Sequence, residues 1–331
     1  MQNFRNTTII FCALIMAVLS AAEPAQARQE KQRLWVDTDA ACVSRFATDV
    51  DDCWALALLL NSPNIQIVGI STVFGNRERA PSVGEMRALL SAVSQVDFNG
   101  RVFPVVEGAH EPSGDGPRSS NAAVEALIAE LEKAPLTVLA LGPLTNIASA
   151  TKRRPDLWHQ IEQIVAVAGQ LPGERFYPGT SRLLHVHDMN FQKDVDAFET
   201  VLALPTEITL IPYAAGSQVM IRKSQLSLMQ RDTGKARWLA EISLEWLGFW
   251  QDYFGLPGFF PFDLVAAGYL VFPDGMKCRQ TRAQVVRRRG LFTVRDTLEV
   301  GPELGRAIRY CDEVQGQFGE RLISGILENP Q

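Results

Sequence analysis

The sequence has no basic excess: 32 lysines and arginines stand against 37 acidic residues, a formal net charge of −5. A mildly acidic chain carries no general field for a polyanion, which argues against a nucleic acid polymer as partner and favours a small or neutral ligand. Long apolar runs are also missing beyond residue 22, so no later stretch is suited to crossing a bilayer. Internal repeats, low-complexity segments and compositional breaks are absent too, and 331 residues without a break read most simply as one large domain. Cysteine is sparse, with five in all.

The one apolar run, residues 8–22, follows Arg5 and precedes Ala25-Gln26-Ala27. Charge, apolar core and small residues in that order are those of a secretory signal peptide, and the run is short for a membrane anchor. The expectation is therefore a signal peptide over 1–27 and a single domain over 28–331, exported to the periplasm or secreted, without membrane contact after cleavage. Cys12 would leave with the signal. Cys42, Cys53, Cys278 and Cys311 remain, an even number in an oxidising compartment. Each of the pairs Cys42–Cys53 and Cys278–Cys311 brackets a local segment and is the favoured pairing; four buried thiols are the alternative.

From residue 33 short apolar strands alternate with amphipathic helices. Segments 34–36, 65–73, 102–106, 136–141 and 163–168 read as strands, and 52–60, 83–93, 121–132, 144–152 and 195–204 as helices. That alternation predicts an α/β fold with an open, mainly parallel sheet flanked by helices, whose ligands bind at strand C-terminal ends. After residue 211 the pattern changes. A long helical stretch contains Trp238, Trp246 and Trp250, followed by 262–270, a basic hairpin near 284–294 and a final helix over 313–327. Arg287-Arg288-Arg289 reads as a solvated hairpin face.

The strand 34–36 runs into Asp37-Thr38-Asp39, and Asp49, Asp51 and Asp52 follow where the next helix begins. One carboxylate there is explained as a helix cap, but five are not. Packed together they repel unless a cation neutralises them, and an all-oxygen set selects a hard ion such as Ca²⁺ or Mg²⁺.

These motifs resemble the inosine-uridine nucleoside hydrolase family, which has a strand ending in Asp-x-Asp and a paired Asp-Asp opening a helix. Asp37, Asp39, Asp51 and Asp52 occupy those positions, although the short link between them is replaced by the longer segment 40–48. In order along the chain, Thr72-Val73-Phe74-Gly75-Asn76, residues 104–108, Ala140-Leu141-Gly142-Pro143-Leu144-Thr145-Asn146, Asp188-Met189-Asn190-Phe191 with Asp194, and Phe262-Asp263 are similar to further family blocks. The resemblance implies a Ca²⁺-dependent hydrolase of nucleoside N-glycosidic bonds that passes through an oxocarbenium-like transition state. It implies that Asp39, Asp52 and Asp263 ligate the ion with side-chain oxygens and Leu141 with its carbonyl, and that Asp39 is the base for a water nucleophile. It gives the ribose hydroxyls to Asp51, Asn76, Asp188 and Asn190, and implies a homo-oligomer. A nucleoside is the expected small-molecule partner.

The sequence departs from the family at Phe262, where many members have His, and phenylalanine cannot donate a proton to the leaving base. His187 is the candidate acid, with His185, Tyr177 and Tyr253 as alternatives. Trp246, Trp250 and Phe254 are open to either base stacking or core packing. Two other functions compete: a haloacid-dehalogenase-like phosphatase, suggested by Asp37-Thr38-Asp39, and an exported nucleoside- or ribose-binding protein without turnover, suggested by Phe262.

Overall fold

Alternate residues of a fully buried strand face opposite layers, and the first strand, β1 (Gln32–Thr38), shows this directly. Leu34 and Val36 join one apolar core, while Trp35 joins a second on the other face of the sheet. The computed structural model describes residues 31–42, 48–94, 103–112, 120–179, 185–289 and 294–327. The signal-peptide expectation and the start of the strand at Val102 lie outside the described residues.

The parallel strands that follow are β2 (Ile65–Thr72), β3 (Val105–Val106), β4 (Leu136–Ala140), β5 (Ile161–Ala166) and β6 (Glu207–Leu210). A short pair, β7 (Ile221–Arg222) and β8 (Gly258–Phe259), forms its own ribbon. Then come β9 (Met276–Arg289), β10 (Val294–Val300) and β11 (Arg306–Val314). The nine-stranded sheet has the order β10-β9-β11-β6-β5-β4-β1-β2-β3. From β3 to β11 neighbours are parallel, and β9 and β10 add antiparallel strands beyond β11. Chain order reverses at β1, which lies between β2 and β4, and a crevice opens at the C-terminal ends of strands at such a switch point.

The helices are α1 (Asp51–Asn61), α2 (Val83–Ser94), α3 (Ala122–Leu131), α4 (Thr145–Arg153), α5 (Met189–Lys193), α6 (Val195–Leu202), α7 (Tyr213–Gly216), α8 (Lys223–Met229), α9 (Gly234–Phe254), α10 (Phe262–Val271) and α11 (Phe318–Leu327). Buried residues of α1, α2 and α8 to α11 fill the first core, and those of α3, α4 and α6 the second. Asn121 caps α3 by accepting from Val124 N at 3.0 Å, which fixes that helix where the sequence places it.

Two expectations change in the C-terminal third. The final helix begins at Phe318, because residues 306–314 form β11, which pairs with both β6 and β9. The hairpin is longer than 284–294, extending over β9 and β10. Its arginines face charged partners: Arg287 pairs with Asp196 and Glu199, Arg288 with Glu299 and Arg289 with Asp296. Both favoured disulfides are formed, Cys42–Cys53 at the β1–α1 crossing and Cys278–Cys311 across adjacent strands β9 and β11.

Candidate active site

The end of β1 is tied on both sides by backbone hydrogen bonds, Val73 N to Thr38 O at 3.0 Å and Leu141 N to Asp37 O at 2.8 Å. Asp39 thereby emerges between the ends of β2 and β4. The backbone presses close around its carboxylate. A Cβ on Gly75 would lie 1.9 Å from Asp39 Oδ2, so only glycine permits that approach. Asn76 then donates its backbone N–H to Asp39 Oδ2 at 2.8 Å, and its amide reaches Asp39 Oδ1 at 3.5 Å and Asp52 Oδ2 at 3.3 Å.

Asp52, in the first turn of α1, accepts from the Thr38 hydroxyl. Asp263, in the first turn of α10, completes a group. One carboxylate oxygen from each of Asp39, Asp52 and Asp263 lies within 4.8 Å of the others, and all three residues are buried. Burial, then the charge of Asp52, pushes the Asp39 carboxyl well above its usual range. Burial and the charges of Asp51, Asp52, Asp39 and Asp49 do the same to Asp263. Asp52 is raised to about 7 by burial and by Asp51. Among the described residues no lysine, arginine or histidine forms an ion pair with these three. Three buried carboxylates without a basic partner fit a hard divalent cation, which supplies the missing positive charge through oxygen ligands.

Leu141 lines the same cavity as Asp39 and Asp263, and its carbonyl is not exhausted by the protein. It accepts from Asn190 Nδ2 at 2.8 Å, and a carbonyl with two lone pairs retains one for an ion. The other amide donor of Asn190 goes to Val167 O at 3.1 Å, so its Oδ1 is left to accept a hydroxyl. Asp188 caps α5 by accepting from Phe191 N at 3.1 Å, and its second oxygen accepts from Gly169 N at 2.7 Å. Burial raises its pKa to about 6. Asp51 Oδ2 accepts from Asp263 N at 3.1 Å, linking the starts of α1 and α10.

Asp37 belongs elsewhere. Its Oδ1 accepts from the Ser71 hydroxyl and from Asn146 Nδ2 at 2.8 Å, and Asn146 also donates to Thr72 O at 3.0 Å while accepting from Ala109 N at 2.9 Å. This buried network knits the ends of β1, β2 and α4 behind the carboxylates. Of the five aspartates at the crossing, Asp39, Asp49 and Asp51 line a cavity of about 430 Å³. Asp263, Asn76, Leu141, Asp188 and Asn190 line it as well. Its far wall is aromatic, made by Phe176, Tyr213, Trp246, Phe249, Trp250, Phe254 and Phe262.

An acidic, oxygen-rich floor facing an aromatic wall suits a polar sugar joined to a flat apolar group. A sequence model described as inosine-uridine preferring nucleoside hydrolase matches residues 34–316. The chain belongs to that family. Nucleoside hydrolases are N-glycosidases acting on ribonucleosides, and the chain is an enzyme of this class. A protein named probable uridine nucleosidase 2 of Oryza sativa subsp. japonica is 25% identical over 273 residues, covering 74% of this chain and 75% of its own. The pyrimidine-specific ribonucleoside hydrolase RihB of Shigella flexneri serotype 5b is 25% identical over 287 residues, 80% of this chain and 84% of its own. Among solved structures, the plant nucleoside hydrolase PpNRh1 shares the fold with a TM-score of 0.70 and 19% identity, covering 89% of this chain and 98% of its own. The purine-preferring ribonucleoside hydrolase from Gardnerella vaginalis does so at 0.66 and 20%, covering 89% and 97%. The family is typically metal-dependent, in keeping with the Asp39, Asp52 and Asp263 group. This assignment displaces the phosphatase and the binding-protein alternatives.

Within this nucleoside hydrolase, Phe262 is part of the aromatic wall, with its ring 5.8 Å from Phe176 and edge-on to it. His187 lines the cavity, whereas His185 lies behind it, ring to ring at 4.6 Å. Tyr177 packs beside His185, and Tyr253 is 72% exposed; neither is among the lining residues. Trp246, Trp250 and Phe254 pack in or against the first core, as one reading had it, and also line the cavity. Sequence reasoning missed Tyr213, Phe176 and Phe249. Tyr213 stands just past the C-terminal end of β6, where ligand contacts are expected, but a strand as short as Glu207–Leu210 has too few residues to show alternation.

Proposed function

We propose that this nucleoside hydrolase is calcium-dependent and cleaves the C1′–N bond of ribonucleosides, with Asp39 as general base. The observation that carries the reading is the convergence of Asp39, Asp52 and Asp263 on one point of a cavity whose other side is aromatic. Asp39, Asp52, Asp263 and the Leu141 carbonyl would hold Ca²⁺, which supplies Lewis-acid polarisation of oxygen ligands when bound.

The chain's own residues do the rest. Asp51, Asn76, Asp188 and Asn190 orient the ribose hydroxyls, because they present fixed acceptors and donors around the floor. Asp39 takes a proton from the water that attacks C1′. As the C1′–N bond breaks, its electron pair passes to the base nitrogen while positive charge builds on the sugar. His187 gives a proton to the departing base, and the aromatic wall receives the base and keeps bulk water out. Breakdown yields free base and ribose.

The relatives named for uridine and for pyrimidine ribonucleosides make uridine the first substrate to test. The N-terminal charge, apolar run and small residues support export to the periplasm or outside the cell, and the family resemblance supports a homo-oligomer. The test is base release from uridine, cytidine, inosine and adenosine by purified protein, with Ca²⁺ and with a calcium chelator. Chelator-sensitive release of free base is expected; release that is indifferent to the chelator would remove the calcium dependence, and no release from any of the four would remove the activity.

A further inference from the structure

We propose that the Cys42–Cys53 disulfide is a positioning element of the cation site, holding the segment after β1 against the start of α1 so that Asp39 and Asp52 stay within reach of one ion. The inference rests on the reading of the aspartate group as a divalent-cation site.

The two ends of the bridge sit beside the ligands themselves. Cys42 follows Asp39 by three residues, and Cys53 is the residue after Asp52. The bridge spans a sequence separation of 11 with Cα atoms 6.3 Å apart, and Asp49, Asp51 and Asp52 all lie inside the ring it closes. Both cysteines are buried, and both belong to the core that packs α1 under the sheet.

Something must oppose the repulsion of these buried carboxylates, since no basic side chain pairs with Asp39, Asp52 or Asp263 among the described residues. The hydrogen bonds that tie Asp39 to Asp52 among the described residues are side-chain contacts. The Thr38 hydroxyl reaches Asp52, and the Asn76 amide spans Asp39 and Asp52 only through contacts of 3.5 and 3.3 Å. The connection over residues 40–48 is longer than the link of the family it resembles, and a longer connection loses more freedom on ordering. A covalent cross-link removes much of that loss in advance. The site is then assembled before the ion arrives, so less binding energy goes into gathering the ligands.

The second disulfide provides an internal control. Cys278 and Cys311 face one another on β9 and β11, strands already joined by a ladder of hydrogen bonds, and neither lines the cavity.

The experiment uses the full, oxidised protein stripped with a chelator, and measures Ca²⁺ binding by calorimetry and Tb³⁺ binding by luminescence. C42S/C53S is expected to weaken both at least tenfold, and C278S/C311S to leave them within twofold of wild type. Should serine prove too polar for the buried pair, C42A/C53A carries the same expectation, as does wild-type protein reduced under native conditions with its thiols counted. Wild-type affinity in any folded protein lacking the 42–53 bridge overturns the proposal, and so does equal weakening by the two cysteine pairs, which would mark a general loss of stability. Failure of the oxidised wild type to bind either ion removes the cation reading itself, and the proposal with it.

Discussion

The two sides of the cavity are built on different principles. The floor takes its carboxylates from the end of β1 and the first turns of α1 and α10, and its groups are tied to one another by hydrogen bonds: Asn76 bonds Asp39 and Asp52, Asp263 N bonds Asp51, and Asn190 bonds Leu141. The wall is carried largely by α9, through Trp246, Phe249, Trp250 and Phe254, and the indole N–H groups of Trp246 and Trp250 are buried with no partner among the described residues. A floor that turns carboxylates and the Asn190 amide toward the cavity can serve any ribosyl group in the same way. The indole N–H groups have no surface open to the cavity, so the wall meets the base through ring faces and edges and discriminates by shape and apolar contact. On the proposed reading, chemistry belongs chiefly to the floor and base choice to the wall.

The most severe test of that division is Asp39→Ala. It should lower kcat by about a thousandfold or more, equivalent to about 4 kcal/mol of barrier, while circular dichroism stays native; a folded variant with normal turnover would end the base assignment. A smaller effect should come from the wall. Trp250→Phe replaces the indole with a smaller ring and so thins the wall while keeping it aromatic, and its expected signature is an increase in KM of about tenfold that depends on the base, with kcat nearly unchanged. A uniform loss of kcat across all nucleosides would place Trp250 in the chemistry and break the comparison.

Asp52 of the floor and Asp37 behind it together predict a pH response without metal. Burial holds Asp37 near 7, and burial with the charge of Asp51 holds Asp52 near 7, against a usual value of 3.8. Raised values mean that the folded state binds protons the unfolded chain has released. Their stabilisation is complete below the unfolded value near 4 and is lost as pH rises through about 7. Chelated protein should therefore melt several degrees higher at pH 5.5 than at pH 8, and added Ca²⁺ should recover stability at pH 8 far more than at pH 5.5. A Tm that falls on acidification over this range, with metal absent, would contradict the arrangement. The smallest effect is expected at Tyr253, only three residues from Trp250 yet largely exposed: Tyr253→Ala should leave kcat and KM within twofold.

Much of the floor was legible because strand ends and helix starts write themselves into sequence. The apolar run into Asp37-Thr38-Asp39 marks β1, and Asp51-Asp52 marks the first turn of α1. The wall was less so, since its members come from distant segments and their faces depend on packing. Trp250 and Tyr253 share one helix and one residue class, and only the docking of α9 against the core decides that one lines the cavity and the other meets solvent. Asp188 illustrates a different limit. Its position in the chain suggested ribose contact and it does line the cavity, but the sequence did not disclose that its two oxygens also accept backbone N–H groups, a use that depends on where Gly169 folds. Residues 313–314 read as helix because an amphipathic stretch alone does not disclose that β9 lies beside it, pairing Glu313 with Lys277 and Val314 with Met276.

The loop after β5 reaches beyond the cavity. Gln170 N bonds Leu298 O at 3.0 Å, Val300 N bonds Gln170 O at 2.9 Å, and the Gln192 side chain donates to Asp296 O at 2.6 Å, so the outer rim of β10 is occupied by the chain itself. At the opposite rim, among the described residues, β3 pairs only with Ile70 and Ser71 of β2. A large sheet is usually a hazard, since unpaired rims recruit strands from other molecules and seed fibrils. Here the rim of β10 is occupied, so copies of this protein have little opportunity to join by extending the sheet from that end.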